Sequence, residues 1–139
     1  MKALLSPFLM LNFLGLILAI TAVAETRLET CPSPPNCVSS QARDYRFIEP
    51  LAIKGETKVA FEKLREILER RPDTSIISDD GNIIRVEFRT TLGFVDDGIF
   101  ALDAEKRVIN IRSASRTGYW DFGKNRRRME EIRKEFQSQ

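Results

Sequence analysis

The sequence predicts a two-layer α+β domain: an antiparallel sheet of about four strands with two helices packed on one face. Three observations carry this. Apolar residues recur at the helical period between Gly55 and Pro72 and again from Asp121 to Phe136. Between them, residues 74–115 hold stretches of alternating or continuous apolar residues separated by short turns, the pattern of an antiparallel meander. The order helix, hairpin-linked strands, helix leaves both helices to cover the apolar face of the sheet.

The chain of 139 residues is the length of one domain, with 42% hydrophobic and 30% charged residues, an ordinary globular balance. Its start is different. After Met1-Lys2, residues Ala3 to Ala24 are apolar almost throughout and end at Ala22-Val23-Ala24 before Glu25. A small-x-small tripeptide followed at once by charge is the pattern of a secretory signal cleaved after residue 24. The rival reading is an uncleaved anchor, because the stretch approaches the ~20 residues that cross a bilayer. Either way the rest of the chain is expected outside the cytosol, in a periplasm, lumen or extracellular space. The formal net charge is only +2. Nucleic-acid binding relies on many unopposed cations, so it is not expected here.

Residues 25–54 form an extended leading segment. Cys31 and Cys37, the only cysteines, bracket a proline-rich loop. In an exported chain such a pair reads as a disulfide. Thioredoxin-like sites use a two-residue spacer, and a zinc site needs four ligands where this chain offers two thiols and no histidine. The domain proper then spans residues 55–139. In its first helix Ala60, Phe61, Leu64, Ile67 and Leu68 form the apolar stripe, Thr57 is the expected N-cap, and Pro72 the stop.

Four strands follow. Thr74 to Ser78 is the first, and Asp79-Asp80-Gly81-Asn82 turns the chain. From Ile83 to Thr91, Ile84, Val86 and Phe88 face one way and Arg85, Glu87 and Arg89 the other. Phe94 to Leu102 is the third. Arg107 to Ser115 is the fourth, with Ile109 and Ile111 inward and Asn110 and Arg112 outward, on the face expected to meet solvent. The last helix is expected over Asp121 to Phe136, with Asp121 as N-cap and Phe122, Asn125, Met129, Ile132 and Phe136 on its buried stripe.

The chemistry inventory excludes much. There is no histidine, which removes serine–histidine–aspartate and cysteine–histidine catalysis, and no glycine-rich phosphate loop. No cofactor is expected. Asp96 and Asp97 are the remaining carboxylate candidates, but neighbours in a strand point to opposite faces and cannot share one substrate. One is expected among outward arginines, and the other toward the helices, where it needs a donor.

The stretch Ser113 to Arg128 is the densest run of polar and aromatic residues. A buried amide at Asn125 must be satisfied by hydrogen bonds. It either ties the helix to the preceding loop or to the inward aspartate, or lines a pocket with Arg116, Tyr119 and Arg126. In the second case the first helical turn would favour an anion. Arg116, Tyr119, Asp121, Asn125 and Arg126 are therefore the candidate ligand-binding residues.

Residues Cys31-Pro32-Ser33-Pro34-Pro35-Asn36-Cys37-Val38-Ser39-Ser40-Gln41-Ala42 resemble the opening motif of the bacterial and plastid family catalogued as domain of unknown function 1499. Gly93 to Asp97 is similar to that family's central strand, and Ser113 to Arg128 to its closing motif. The chain departs from that motif at Thr117, Trp120 and Lys124. The resemblance implies an envelope or lumenal protein and brings no catalytic residues with it. Together the readings point to a non-enzymatic binding or scaffold domain of the cell envelope. Its expected partner is a small anionic ligand or an envelope protein, with residues 1–24 as a membrane tether if they are retained. The alternative is a carboxylate-dependent hydrolase or transferase using Asp96 or Asp97.

Overall fold

A computed structural model describes residues 28–138; the signal or anchor read over residues 1–24 lies outside the described residues. Among them, no helix is long and apolar enough to cross a membrane.

Helix α1 runs Thr57–Arg70 and buries the five apolar residues that its periodicity marks. Its cap differs from the expectation. Thr57 is already helical, and Glu56 caps instead, its carboxylate accepting from the backbone N–H of Lys58 at 3.1 Å and of Val59 at 2.8 Å. The longer side chain reaches back over the first turn from one residue earlier. At the other end Arg71 is extended, as a residue preceding proline must be.

The four expected strands form a meander, numbered after two earlier short strands: β3 (Thr74–Asp79), β4 (Ile83–Arg89), β5 (Val95–Asp103) and β6 (Val108–Ser115). All neighbours are antiparallel. The β3–β4 turn is closed by aspartate side chains, with Asp79 accepting from Gly81 N–H at 2.8 Å and Asp80 from Asn82 N–H at 2.9 Å. The sheet is wider than the four strands expected. Within the leading segment, β1 (Cys37–Ser39) and β2 (Leu51–Ala52) pair end to end along the free edge of β6, making six strands. Strands of two or three residues carry no readable period. They form because the open edge of β6 offers backbone donors and acceptors that would otherwise go unpaired.

Both helices cover one face, α1 against β3 and α2 (Lys124–Gln137) against β1 and β6. The core between the layers joins Leu64, Ile67 and Leu68 of α1 and Met129, Ile132 and Phe136 of α2 to Ile84, Val86, Phe88, Phe100, Ile109 and Ile111 of the sheet. Gly98 faces the same way. A Cβ there would strike the Phe88 ring and Val86, so glycine makes room for the aromatic core.

Part of the outer face is covered by the leading segment. Leu28 packs on Ile99, Ala101 and Ile83, and Arg112 donates to the Thr30 carbonyl at 3.4 Å. Asn110 and Arg112, expected to be solvated, are therefore buried. The alternation along β6 is as read, but the leading segment covers its polar side. The start of α2 also differs. The helix begins at Lys124 after Gly123 in the left-handed region, and Phe122, assigned above to the buried stripe, points into solvent.

Candidate functional site

The buried stripe of α2 consists of Asn125, Arg128, Met129, Ile132 and Phe136, so two polar residues enter the interior at its N-terminal end. Asn125 is wholly buried and every polar atom of its side chain is engaged. Its Oδ1 accepts from Ser113 Oγ at 2.5 Å and from Arg128 Nη1 at 3.4 Å. Its Nδ2 lies 2.8 Å from Asp121 Oδ2, 2.9 Å from Ser115 Oγ and 3.1 Å from the Asn36 carbonyl. One amide thus joins α2, its preceding loop, β6 and the residue before β1.

Asp121 is not the N-cap residue itself, yet it performs that task from two positions upstream. Its carboxylate accepts from Gly123 N–H at 3.0 Å and Asn125 N–H at 2.9 Å, and its carbonyl from Lys124 N–H at 3.0 Å. These donors at the helix start, which would otherwise attract an external anion, are filled by Asp121, two by its carboxylate and one by its carbonyl.

Arg128 extends the network. It donates to Asp96 Oδ2 at 2.8 Å, stands 3.7 Å from Asp73 Oδ2, and lies over the Phe88 ring at 4.5 Å. Asp96 is the inward aspartate, and Arg128 is the donor that its burial requires. Asp97 faces outward as alternation demands. There Arg116 grips it with Nε at 2.9 Å and Nη2 at 2.7 Å and also reaches Glu87 at 2.6 Å. The hydrogen bonds from Asp97 and then Glu87 hold the Arg116 guanidinium above its already high usual range.

The five candidate residues therefore occupy three places. Asp121 and Asn125 form an internal latch. Arg116 lies over the outer face of the sheet. Tyr119 and Arg126 stand on a third surface, where Arg126 donates to the carbonyls of Tyr45 and Phe47, both at 2.9 Å. That surface is the feature which sequence reasoning missed. Two loops, residues 43–47 and 119–123, meet there around a cleft of about 300 Å³ bordered by Pro35, Tyr45, Trp120, Phe122, Arg46 and Arg126. Tyr45, Tyr119, Trp120 and Phe122 are 68%, 63%, 62% and 84% exposed, and Phe47 is also exposed. Tyr119 and Trp120 meet edge to face with centroids 5.8 Å apart. Phe122 has φ 53, in the left-handed region where a bulky side chain is strained. An exposed ring held at that backbone cost was invisible to periodicity, which assigned it to the core.

A larger hollow of about 750 Å³ runs between residues 28–31 and loop 39–46, opening beside Ser40 and Asn110, which are hydrogen-bonded to each other at 3.1 Å. Cys31 and Cys37 are joined, with sulfurs 2.08 Å apart. Among the described residues, no group of three acidic or thiol side chains comes together where a metal ion could be held.

No curated protein and no solved structure matches the chain. A family model does, over residues 27–136, which takes in both short edge strands, the meander, the latch and the aromatic loops. The chain belongs to the family described as protein of unknown function, DUF1499.

Proposed function

We propose that this protein is an exported, non-enzymatic binding domain of the cell envelope, and that it works through the surface formed by loops 43–47 and 119–123. The observation that carries this reading is the set of exposed rings at Tyr45, Phe47, Tyr119, Trp120 and Phe122 on two loops that meet at one cleft, with loop 119–123 fastened by the Asp121–Asn125 latch. Exposed apolar residues scattered singly need no explanation, whereas a contiguous patch marks an interaction site. Arg126 serves it by tying α2 to the carbonyls of Tyr45 and Phe47, and Asp121 and Asn125 by fastening loop 119–123 to β6 and to Asn36. The signal-like residues 1–24 and the disulfide support a location where thiols oxidise.

The carboxylate-based enzyme has less support. Asp96 is spent on Arg128 inside the core, and Asp97 on Arg116 outside it.

Trp120 is the only tryptophan in the chain, so its emission reports this surface alone. Material released from a membrane fraction and retained in native mass spectrometry should shift and sharpen Trp120 emission when added back to the protein. Retained material that leaves Trp120 unaffected while engaging another face would refute the assignment of this surface.

A further inference from the structure

We infer that the aromatic surface docks on a lipid bilayer bearing anionic headgroups, with the Phe122 ring entering the acyl boundary. This rests on the binding reading above and names its partner.

Composition is the first argument. Both tyrosines of the chain and its one tryptophan lie in these two loops, all well exposed. Tyrosine and tryptophan, with an apolar body and a polar tip, favour the level of the headgroups. Nothing about folding requires all three to be here, since the core is built from aliphatic residues and phenylalanine.

Phe122 supplies the second argument. A left-handed backbone presents the most exposed ring of the cluster to solvent immediately before α2. Asparagine or glycine would occupy that conformation at less cost. The strain is understandable if the ring is a wedge for an apolar phase.

Charge is the third. Residues 43–47 and 119–127, the two loops and the start of α2, hold Arg43, Arg46, Lys124, Arg126 and Arg127 against Asp44 and Asp121. Asp44 and Arg46 pair with each other, and Asp121 accepts from Asn125 at the start of α2, so the local balance is three positive charges. In a chain whose net charge is only +2, this excess of cations is local. Basic residues near an anionic leaflet each strengthen binding to it. The β4–β5 turn, with exposed Leu92 and Phe94, projects from the same end of the sheet as residues 116–122, because Asp96 pairs with Ser115. A small soluble anion fits less well. Arg46 and Arg126 border the cleft, but their donors are already directed to the Asp44 carboxylate and to the backbone carbonyls of Pro32, Tyr45 and Phe47.

The test uses the full chain with vesicles of phosphatidylcholine, with and without phosphatidylglycerol, carrying brominated acyl chains. Bromine quenches only a nearby tryptophan, so Trp120 reports this face whatever residues 1–24 do. The expected result is a blue-shifted Trp120, quenched most by bromines close to the headgroups and more strongly with phosphatidylglycerol present. Arg127→Glu should weaken the phosphatidylglycerol dependence about fivefold or more, and Phe122→Asn should abolish quenching while leaving the thermal midpoint unchanged or raised. Trp120 that stays unquenched in both vesicle types, or quenching indifferent to both substitutions, overturns the inference. If vesicles leave Trp120 silent but material retained from the membrane fraction shifts it, the bilayer is the wrong partner and the binding reading stands. If neither moves it, both fall.

Discussion

Arg128 Nη2 donates to Asp96 Oδ2 at 2.8 Å inside the domain, with the two side chains only 5% and 4% exposed. The helix thereby supplies a cation to a carboxylate that β strand geometry forces inward. Removing Arg128 leaves Asp96 buried without its cation, which costs about 3–5 kcal/mol for a buried pair, whereas removing Asp96 leaves Arg128 with the more distant carboxylate of Asp73 at 3.7 Å. Arg128→Met and Asp96→Leu should each lower the urea midpoint sharply. The double variant should be less destabilised than the sum of the two, because no charge is then stranded. Strict additivity in a double-mutant cycle would refute the coupling.

Asn125 is expected to be a stability residue first. Asn125→Ala strips partners from Ser113, Ser115, Asp121 and the Asn36 carbonyl together. Each buried group left unsatisfied costs about 1–3 kcal/mol, so the loss should exceed that of a single hydrogen bond. Asn125→Asp should also destabilise, since it sets a second carboxylate against Asp121. A thermal melt within a few degrees of the unaltered protein in both variants would show that the latch is dispensable.

The disulfide closes a short loop, with a sequence separation of 6. Chain entropy assigns such a closure roughly 2 kcal/mol. Replacing Cys31 and Cys37 together with serine should lower stability by about that amount, and should also loosen β1, whose Cys37 pairs with Ala114. Hydrogen exchange at Val38 and Ser39 reads the second effect. A non-reduced intact mass lacking two protons and residues 1–24 is the expected native form. A full-length mass with both thiols free would contradict it.

Acid should weaken the helix and turn caps. Backbone N–H donors from Lys58 and then Val59 hold the Glu56 carboxyl below its ordinary 4.5, and those from Asn82 and Ile83 do the same for Asp80. A carboxyl depressed by folding contributes stability above its unfolded value, lost as pH falls through the folded one. Stability should therefore be flat near neutrality and decline below about pH 4.5, where unfolded carboxyls begin to protonate. Glu56→Gln should be less stable at neutral pH, and the gap should close in acid. A gap that persists unchanged at low pH would show that the stabilisation does not come from the ionised carboxylate.

Much of the fold was legible along the chain. The inward sets Ala60, Phe61, Leu64, Ile67 and Leu68 and Ile84, Val86 and Phe88, and the opposition of Asp96 to Asp97, follow from periods of 3.6 and 2. The helical period that marked Asn125 also falls on Arg128, so the buried arginine was within reach of the same reasoning. Phe122 misled because an apolar residue next to a helix start looks like core until its backbone angle is known.

By itself, then, the amino-acid order determined the type and succession of helices and long strands, which side of each is apolar, the cysteine pair, and the family likeness. These are local properties, set by each residue's neighbours in the chain. Tertiary structure alone decided that β1 and β2 complete the sheet, that the leading segment buries Arg112 and Asn110, and that Tyr45 and Trp120 border one cleft. Such outcomes depend on groups as distant as Asn36 and Asn125, 89 residues apart. Which distant donor meets which acceptor is settled only when the layers close and every buried polar group must find a partner.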